Sequence, residues 1–528
     1  MSSQFSMKSY MKGALLLTVA ALIVKVLSAV YRVPFQNLVG DQGLYVYQQV
    51  YPFISFFVVW TSGGVAVAIS KMLAHTNEEM KRSVIKVVFQ YLTVLSFIFF
   101  AFLFFGANML ASWMGDPLLA PLLKTGAFVT LCMPALAVMK GSFQARGMMK
   151  PVAYAQIFEQ TIRVSIILVG TVLIMMVFSR SIYEAGNMAM LGAVIGEVAG
   201  LILLVVYMKK SGFLFKESKK IAKWPVIKEV TIFSITVSVS SLLLLAYQLV
   251  DSFTVFSMLV DLGMPTLEAM ETKGIYDRGQ PLVQLGIVIA SSFSLAIVPL
   301  VAHKSKKGTH DEVPYIQLTY RASLLFGLAA SLGLILVMPY ANTLLFKTDA
   351  LSSLLMLYVL QIIWLSIILT FTSILQGYGK LKVPTYFLLV ALLLKIGGNL
   401  LFIPLFGVLG VAIASNIGLC ICALLLMYYL KKLKGISLAT GSFYRKLFVA
   451  SISMVIVVMG AVLLLNNMTD FSSMRMRAVV YSAVLVLLGA FTFMTVAAKV
   501  RILSVREWFI IPFGRKIATY QLWLNKKK

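Results

Sequence analysis

The chain has 528 residues, 60% apolar and 12% charged, with a formal net charge of +27 and a mean hydropathy of +0.93. Soluble domains are about half apolar and about a quarter charged, so this composition excludes an ordinary soluble enzyme and demands a bilayer. A basic excess can also signal nucleic-acid binding, but here the charges fall in short connections between apolar runs.

A hydrocarbon core of about 30 Å needs about 20 apolar residues per helix. Runs of that kind fall at 13–34, 44–70, 84–106, 120–140, 151–178, 184–207, 229–253, 281–302, 319–343, 352–376, 384–405, 407–430, 446–465 and 477–498. The pattern predicts an all-α integral membrane protein of about fourteen transmembrane helices. Pro404 and Gly407 divide the eleventh run from the twelfth as a tight turn. The first run begins near Gly13 and is followed by no small-residue cleavage site, so it reads as an uncleaved helix.

Loop charge orients the spans. Lys81, Arg82, Lys140, Arg146 and Lys150, seven lysines in 208–228, Lys304, Lys306 and Lys307, and Lys431, Lys432 and Lys434 all fall in alternate connections. The intervening connections carry only Arg180, Lys273, Arg278, Lys347, Arg475 and Arg477. The alternation places both ends in the cytoplasm, and a missed helix would invert it downstream. Basic residues interleaved with Trp508, Phe509, Ile510, Trp523 and Leu524 mark 501–528 as a surface-lying amphipathic tail.

Cys132, Cys420 and Cys422 lie in apolar runs without metal-ligand spacing, and read as packing residues. His75, His303 and His310 lie in polar connections. No phosphate-binding glycine loop, metal-ligand cluster or nucleophile–base set appears, which argues against an ATP-driven pump, a membrane protease or a bound cofactor.

The fourth-to-fifth and tenth-to-eleventh connections are related. Gln144, Gly147, Lys150 and Tyr154 match Gln376, Gly379, Lys382 and Tyr386 at one constant offset. The offset equals six helices, an even number, so it predicts two six-helix bundles as a parallel pseudo-twofold repeat. The expected organisation is an N-terminal lobe at 1–207, a basic linker at 208–228 and a C-terminal lobe at 229–430. Helices 13 and 14 follow at 431–500, then the tail. Paired bundles of this kind are an alternating-access plan.

An ionisable residue near the bilayer centre costs at least about 2.5–3.5 kcal/mol and marks a functional candidate. Lys124 and Arg321 lie near span ends and read as snorkelling side chains. Arg163 lies about a dozen residues into the fifth span, about 18 Å deep, with Glu159 one turn away to pair with it. The repeat offset carries Arg163 onto Lys395 in the eleventh span, which has no acid nearby in its own helix and precedes Gly397, Gly398 and Asn399. One deep cation per bundle implies an anionic ligand. Lys25 and Arg32 add two cations to the first span, Lys25 toward the cavity and Arg32 at its rim or the interface. Glu197, between Gly196 and Gly200, reads either as a coupling-ion or proton site or as a partner for a basic residue. Asp251, near the end of the seventh run, reads as interfacial, and the connection holding Asp261, Glu268, Glu271, Asp277 and Arg278 as an external gate or a solvated loop.

The segments FEQTIRV (158–164), GSFQARGMMKP (141–151), LLKIGGNLLFIP (393–404) and GIYDRGQPLVQLG (274–286) resemble the polysaccharide-transporter branch of the multidrug/oligosaccharidyl-lipid/polysaccharide exporter superfamily. Within it they are similar to the stage V sporulation protein B and lipid II flippase types. The resemblance implies a two-lobed flippase that moves a polyprenyl-diphosphate-linked saccharide across the bacterial cytoplasmic membrane. It implies a diphosphate site at Lys25, Arg32, Arg163 and Lys395; Asn399 reads as a further substrate-binding residue, and Asp251 and Arg278 as gate residues. Glu159 and Glu197 would couple ions or pair charges, with an ion gradient or the membrane potential as the drive. Envelope-synthesis proteins are the candidate partners besides the lipid. A cation-coupled drug antiporter would depend on Glu159 or Glu197, and a non-transporting envelope scaffold would survive loss of every deep charge.

Overall fold

The computed structural model describes residues 7–211, 221–288, 312–468, 474–511 and 514–526. Among them every regular element is helical and no strand occurs. Lipid offers backbone groups no hydrogen-bond partner, so apolar runs of this length must satisfy their amides internally as helices. Among the described residues twelve stretches are long and apolar enough to cross a membrane. One of them, Leu16–His75, is a continuous 60-residue stretch that covers the first two expected spans. The expected eighth span, at 281–302, lies mostly outside the described residues, as do His303, His310, Lys304, Lys306 and Lys307.

In chain order the helices are α1 (Met7–Val30), α2 (Arg32–Val59), α3 (Ala66–His75), α4 (Glu78–Phe105), α5 (Ala107–Trp113), α6 (Ala120–Ala145), α7 (Met149–Val172) and α8 (Ile182–Lys210). They continue with α9 (Lys223–Asp261), α10 (Thr266–Asp277), α11 (Gly279–Gly286), α12 (Val313–Phe346), α13 (Ser352–Val359), α14 (Gln361–Gly377), α15 (Lys382–Phe406) and α16 (Val408–Lys434). The last four are α17 (Gly441–Met468), α18 (Met474–Lys499), α19 (Val505–Ile510) and α20 (Gly514–Asn525). A π-helical turn, Trp60–Val65, joins α2 to α3; such turns accompany functional positions in many helices.

The described residues form two compact units. The first comprises Met1–Asp277 with Leu392–Val411. Its core packs Trp60, Ile69, Val88 and Leu92 against Met133 and Leu245, with a second cluster around Cys132, Phe143 and Leu204. The second unit comprises Arg278–Ala391 with Ala412–Lys528, and its core joins Leu325, Leu447, Tyr481 and Phe493 to Trp508.

Two turns repeat at the offset found in the sequence. Gly147 and Gly379 have φ of 71° and 72°. Each amide closes on a glutamine carbonyl, Gln144 and Gln376, at 2.9 Å. The next amides, Met148 and Lys380, close on Phe143 and Leu375, also at 2.9 Å. A left-handed residue ends each helix, and glycine is the residue that takes that conformation without a Cβ clash. The shared GxxK spacing therefore encodes one helix stop used twice.

The tail expected to lie at the surface is anchored to the bundle at one point. Trp508 is fully buried, its indole Nε1 donates to Gln521 Oε1 at 2.7 Å, and its ring meets Phe326 edge-on. Glu507 pairs with Arg321, so Arg321 is an ion-paired anchor for the tail rather than a snorkelling side chain. The tail docks because a single indole buries more apolar surface in a packed core than it could at an interface.

Candidate functional site

Two networks of buried charge lie within the first unit. The first joins α6, α7 and α8. Arg163 Nη2 is 2.7 Å from Glu197 Oε1 and 3.9 Å from Glu159 Oε1. Lys140 Nζ donates to Glu159 Oε2 at 3.1 Å and to Ser62 Oγ, in the π-helical turn, at 2.8 Å. Lys140 was expected in a basic cytoplasmic connection. It is instead fully buried, because α6 continues to Ala145 and carries it inward.

Glycines explain how α8 reaches Arg163. A Cβ at Gly196 would sit 2.9 Å from the Glu159 carbonyl and 3.0 Å from the Arg163 Cβ, and one at Gly200 would sit 3.1 Å from Glu159 Oε2. Small residues spaced by four let membrane helices approach closely. The glycines at 192, 196 and 200 form that stripe, a signal in the sequence that would have named Glu197 as the nearer partner.

The second network joins α9, α10 and α15. Lys395 Nζ lies 2.6 Å from Asp251 Oδ1 and donates to the Val411 carbonyl at 3.3 Å. Asn399 Nδ2 donates to Asp251 Oδ1 at 3.0 Å and to Thr254 Oγ1 at 2.8 Å. Tyr276 donates to the other oxygen, Asp251 Oδ2, at 2.9 Å. Beside it Lys273 Nζ meets both carboxylate oxygens of Asp277, at 2.6 and 2.7 Å. Asp251 is 4% exposed, so it is an interior acid and not the interfacial one expected. The reason is helix length: α9 runs on to Asp261, and position 251 is no longer near its end. The connection after it is likewise no solvated loop. Much of it is α10, with Lys273 and Asp277 buried.

Arg278 belongs to the second unit and is fully buried. It donates to Asn342 Oδ1 at 2.8 Å and Thr348 Oγ1 at 3.0 Å, and lies over the Phe346 ring.

Arg32 is the exception to pairing. It is completely buried at the start of α2, yet none of its three guanidinium nitrogens has a hydrogen-bond partner among the described residues. Its guanidinium carbon lies 4.6 Å from the centre of the Tyr51 ring. Tyr31 and Tyr47, bonded to each other through their hydroxyls, complete an aromatic surround. Arg163 is within electrostatic reach of Tyr47 and Tyr51, and Asp277 is within reach of Arg32. Each network sets two cations against two carboxylates, and Arg32 forms no ion pair with either among the described residues. Lys25, on α1, is exposed and outside both networks.

The matching family model, described as polysaccharide biosynthesis protein, covers residues 10–305. The chain belongs to this family. It is a membrane transporter of the multidrug/oligosaccharidyl-lipid/polysaccharide superfamily and not an enzyme. It is 32% identical over 524 residues to the uncharacterized membrane protein YabM of Bacillus subtilis, covering 96% of each chain. It is 23% identical over 434 residues to the lipid II flippase MurJ of the same organism, covering 77% of this chain and 80% of MurJ. Over 225 residues, 41% of each chain, it is 33% identical to stage V sporulation protein B of that organism. A solved structure of the lipid II flippase MurJ, in an inward closed conformation, superposes with a TM-score of 0.69 at 16% identity. That match covers 91% of this chain and 98% of MurJ. The likeness in fold is to a MurJ-type transporter.

Proposed function

We propose that the chain moves a polyprenyl-diphosphate-linked saccharide, a peptidoglycan precursor or another polysaccharide unit, from the inner to the outer leaflet of a bacterial cytoplasmic membrane. Its relatives include a lipid II flippase, and the observation that carries the reading to a site is Arg32. An arginine buried with no carboxylate in direct contact among the described residues carries a large desolvation cost. A chain that retains it has a ligand to supply the missing anion. A diphosphate suits the role: guanidinium binds phosphate oxygens in bidentate pairs, and the Tyr51 face lies against the cation.

In this reading the two balanced networks serve different ends. Lys140, Glu159, Arg163 and Glu197 tie three helices together, and Asp251, Lys395 and Asn399 tie two more. Arg163 and Lys395 would reach the diphosphate by exchanging a carboxylate for a phosphate oxygen. That exchange would couple ligand binding to helix rearrangement and so to alternating access. The released carboxylates could then take up protons or cations, which would link transport to an ion gradient. Both termini would lie in the cytoplasm.

The test is leaflet-to-leaflet movement of a diphosphate lipid in proteoliposomes. Arg32→Ala should abolish transport with normal membrane insertion, and Arg32→Lys should retain a small fraction, because a point charge lacks the planar fork. Full transport by Arg32→Ala would remove the site.

A further inference from the structure

A polar cleft of about 540 Å³ opens within the second unit, where the tail helices meet the bundle. Four charged side chains line it: Arg321 of α12, Lys446 of α17, Arg501 just past α18, and Glu507 of α19. Glu507 is fully engaged. One oxygen pairs with Arg321, and the other accepts from the Ser504 amide at 2.7 Å. Lys446 donates to the Arg501 carbonyl at 3.0 Å, and Arg501 Nε donates to Asn525 Oδ1 at 3.2 Å. Neither meets a carboxylate among the described residues, so the cleft carries two uncompensated positive charges. Thr440 and Ser442, at the amino end of α17, add hydroxyls to the same wall.

The surroundings point to the medium. Phe443 and Ile502 form a buried apolar floor. On the outer flank α19 exposes Phe509 and Ile510, and α20 exposes Leu522 and Trp523, each about half or more accessible. Large apolar side chains gathered beside a basic cleft are the pattern of a segment seated at the boundary between headgroups and acyl chains. Anionic headgroups are the abundant negative charge at that depth.

We propose that this cleft binds a phosphate-bearing anion, held by Lys446 and Arg501 and walled by α19 and α20. The exposed apolar flank favours the phosphodiester of an anionic membrane lipid over a soluble phosphate. Bound there, the headgroup would bridge α17 and α18 to the tail.

The experiment uses the purified full chain in detergent, titrated with short-chain phosphatidylglycerol, with phosphatidylcholine of the same chain length, and with inorganic phosphate. Bound ligand is counted by native mass spectrometry. Phosphatidylglycerol should bind in preference to phosphatidylcholine. The double substitution Lys446→Gln with Arg501→Gln should weaken that binding by about thirtyfold, from the loss of two basic residues near an anionic surface. Glu507→Gln, which preserves the capping box but frees Arg321, should tighten it. Inorganic phosphate binding as well as the lipid would support the phosphate site and overturn its assignment to a headgroup. Equal phosphatidylglycerol affinity in all three proteins would overturn the proposal.

Discussion

The ammonium of Lys395 lies 2.6 Å from Asp251 Oδ1, so a lysine on α15 neutralises an acid on α9 in a buried interior. The carboxylate is fully committed, with Asn399 sharing Oδ1 and Tyr276 donating to Oδ2. Each group is tolerable there only because the other is present.

That mutual dependence can be measured. Removing one partner of a buried pair costs about 3–5 kcal/mol, whereas replacing both with apolar residues is often close to neutral. Lys395→Met and Asp251→Leu, which keep the volume, should each lower the melting temperature in detergent sharply, and the double variant should recover most of the loss. Additive losses in the double variant would mean that the pair is not coupled.

The paired turns give a second expectation. Gly147→Ala and Gly379→Ala each place a Cβ on a residue at φ near 70°, at about 1–2 kcal/mol. Because the backbone is the same at both sites, the two melting shifts should agree closely, and asparagine should be better tolerated than alanine at each. A large effect at one site with none at the other would break the equivalence of the two turns.

The tail offers a third. Trp508 is fully buried in the core of the second unit, and replacing a buried tryptophan by alanine costs about 3–5 kcal/mol. Trp508→Ala should loosen the segment after Lys499 and speed tryptic cleavage after Arg506, Arg515 and Lys516, whose side chains are already exposed but lie on folded helices, with cleavage read by mass. Unchanged protection in the variant would show that Phe326 and Gln521 are not what retains the tail.

Much of the site was legible residue by residue. Arg163 and Lys395 stand out because a charge deep in an apolar run has few explanations, and the repeat offset links them. Glu159 is visible as the acid one turn from Arg163. The nearer partner, Glu197, is 34 residues away, on a helix whose contact depends on the glycine stripe. Asp251 was misplaced because hydropathy averaged over a window ends where polar residues begin, while the helix continues. Lys140 was assigned to a connection for the same reason, whereas Lys273 lies on a separate short helix and Arg278 at the turn before α11, both buried by packing that hydropathy does not report.

The sequence by itself determined that this chain spans a membrane many times, with two related helix stops and a few charges deep in apolar runs. Those properties are sums and spacings along the chain, and they need no knowledge of neighbours. The tertiary structure decided which of those charges are neutralised, because neutralisation depends on which helices lie side by side. It paired Arg163 with Glu197 and Lys395 with Asp251, and it left Arg32 among tyrosines with no ion pair among the described residues.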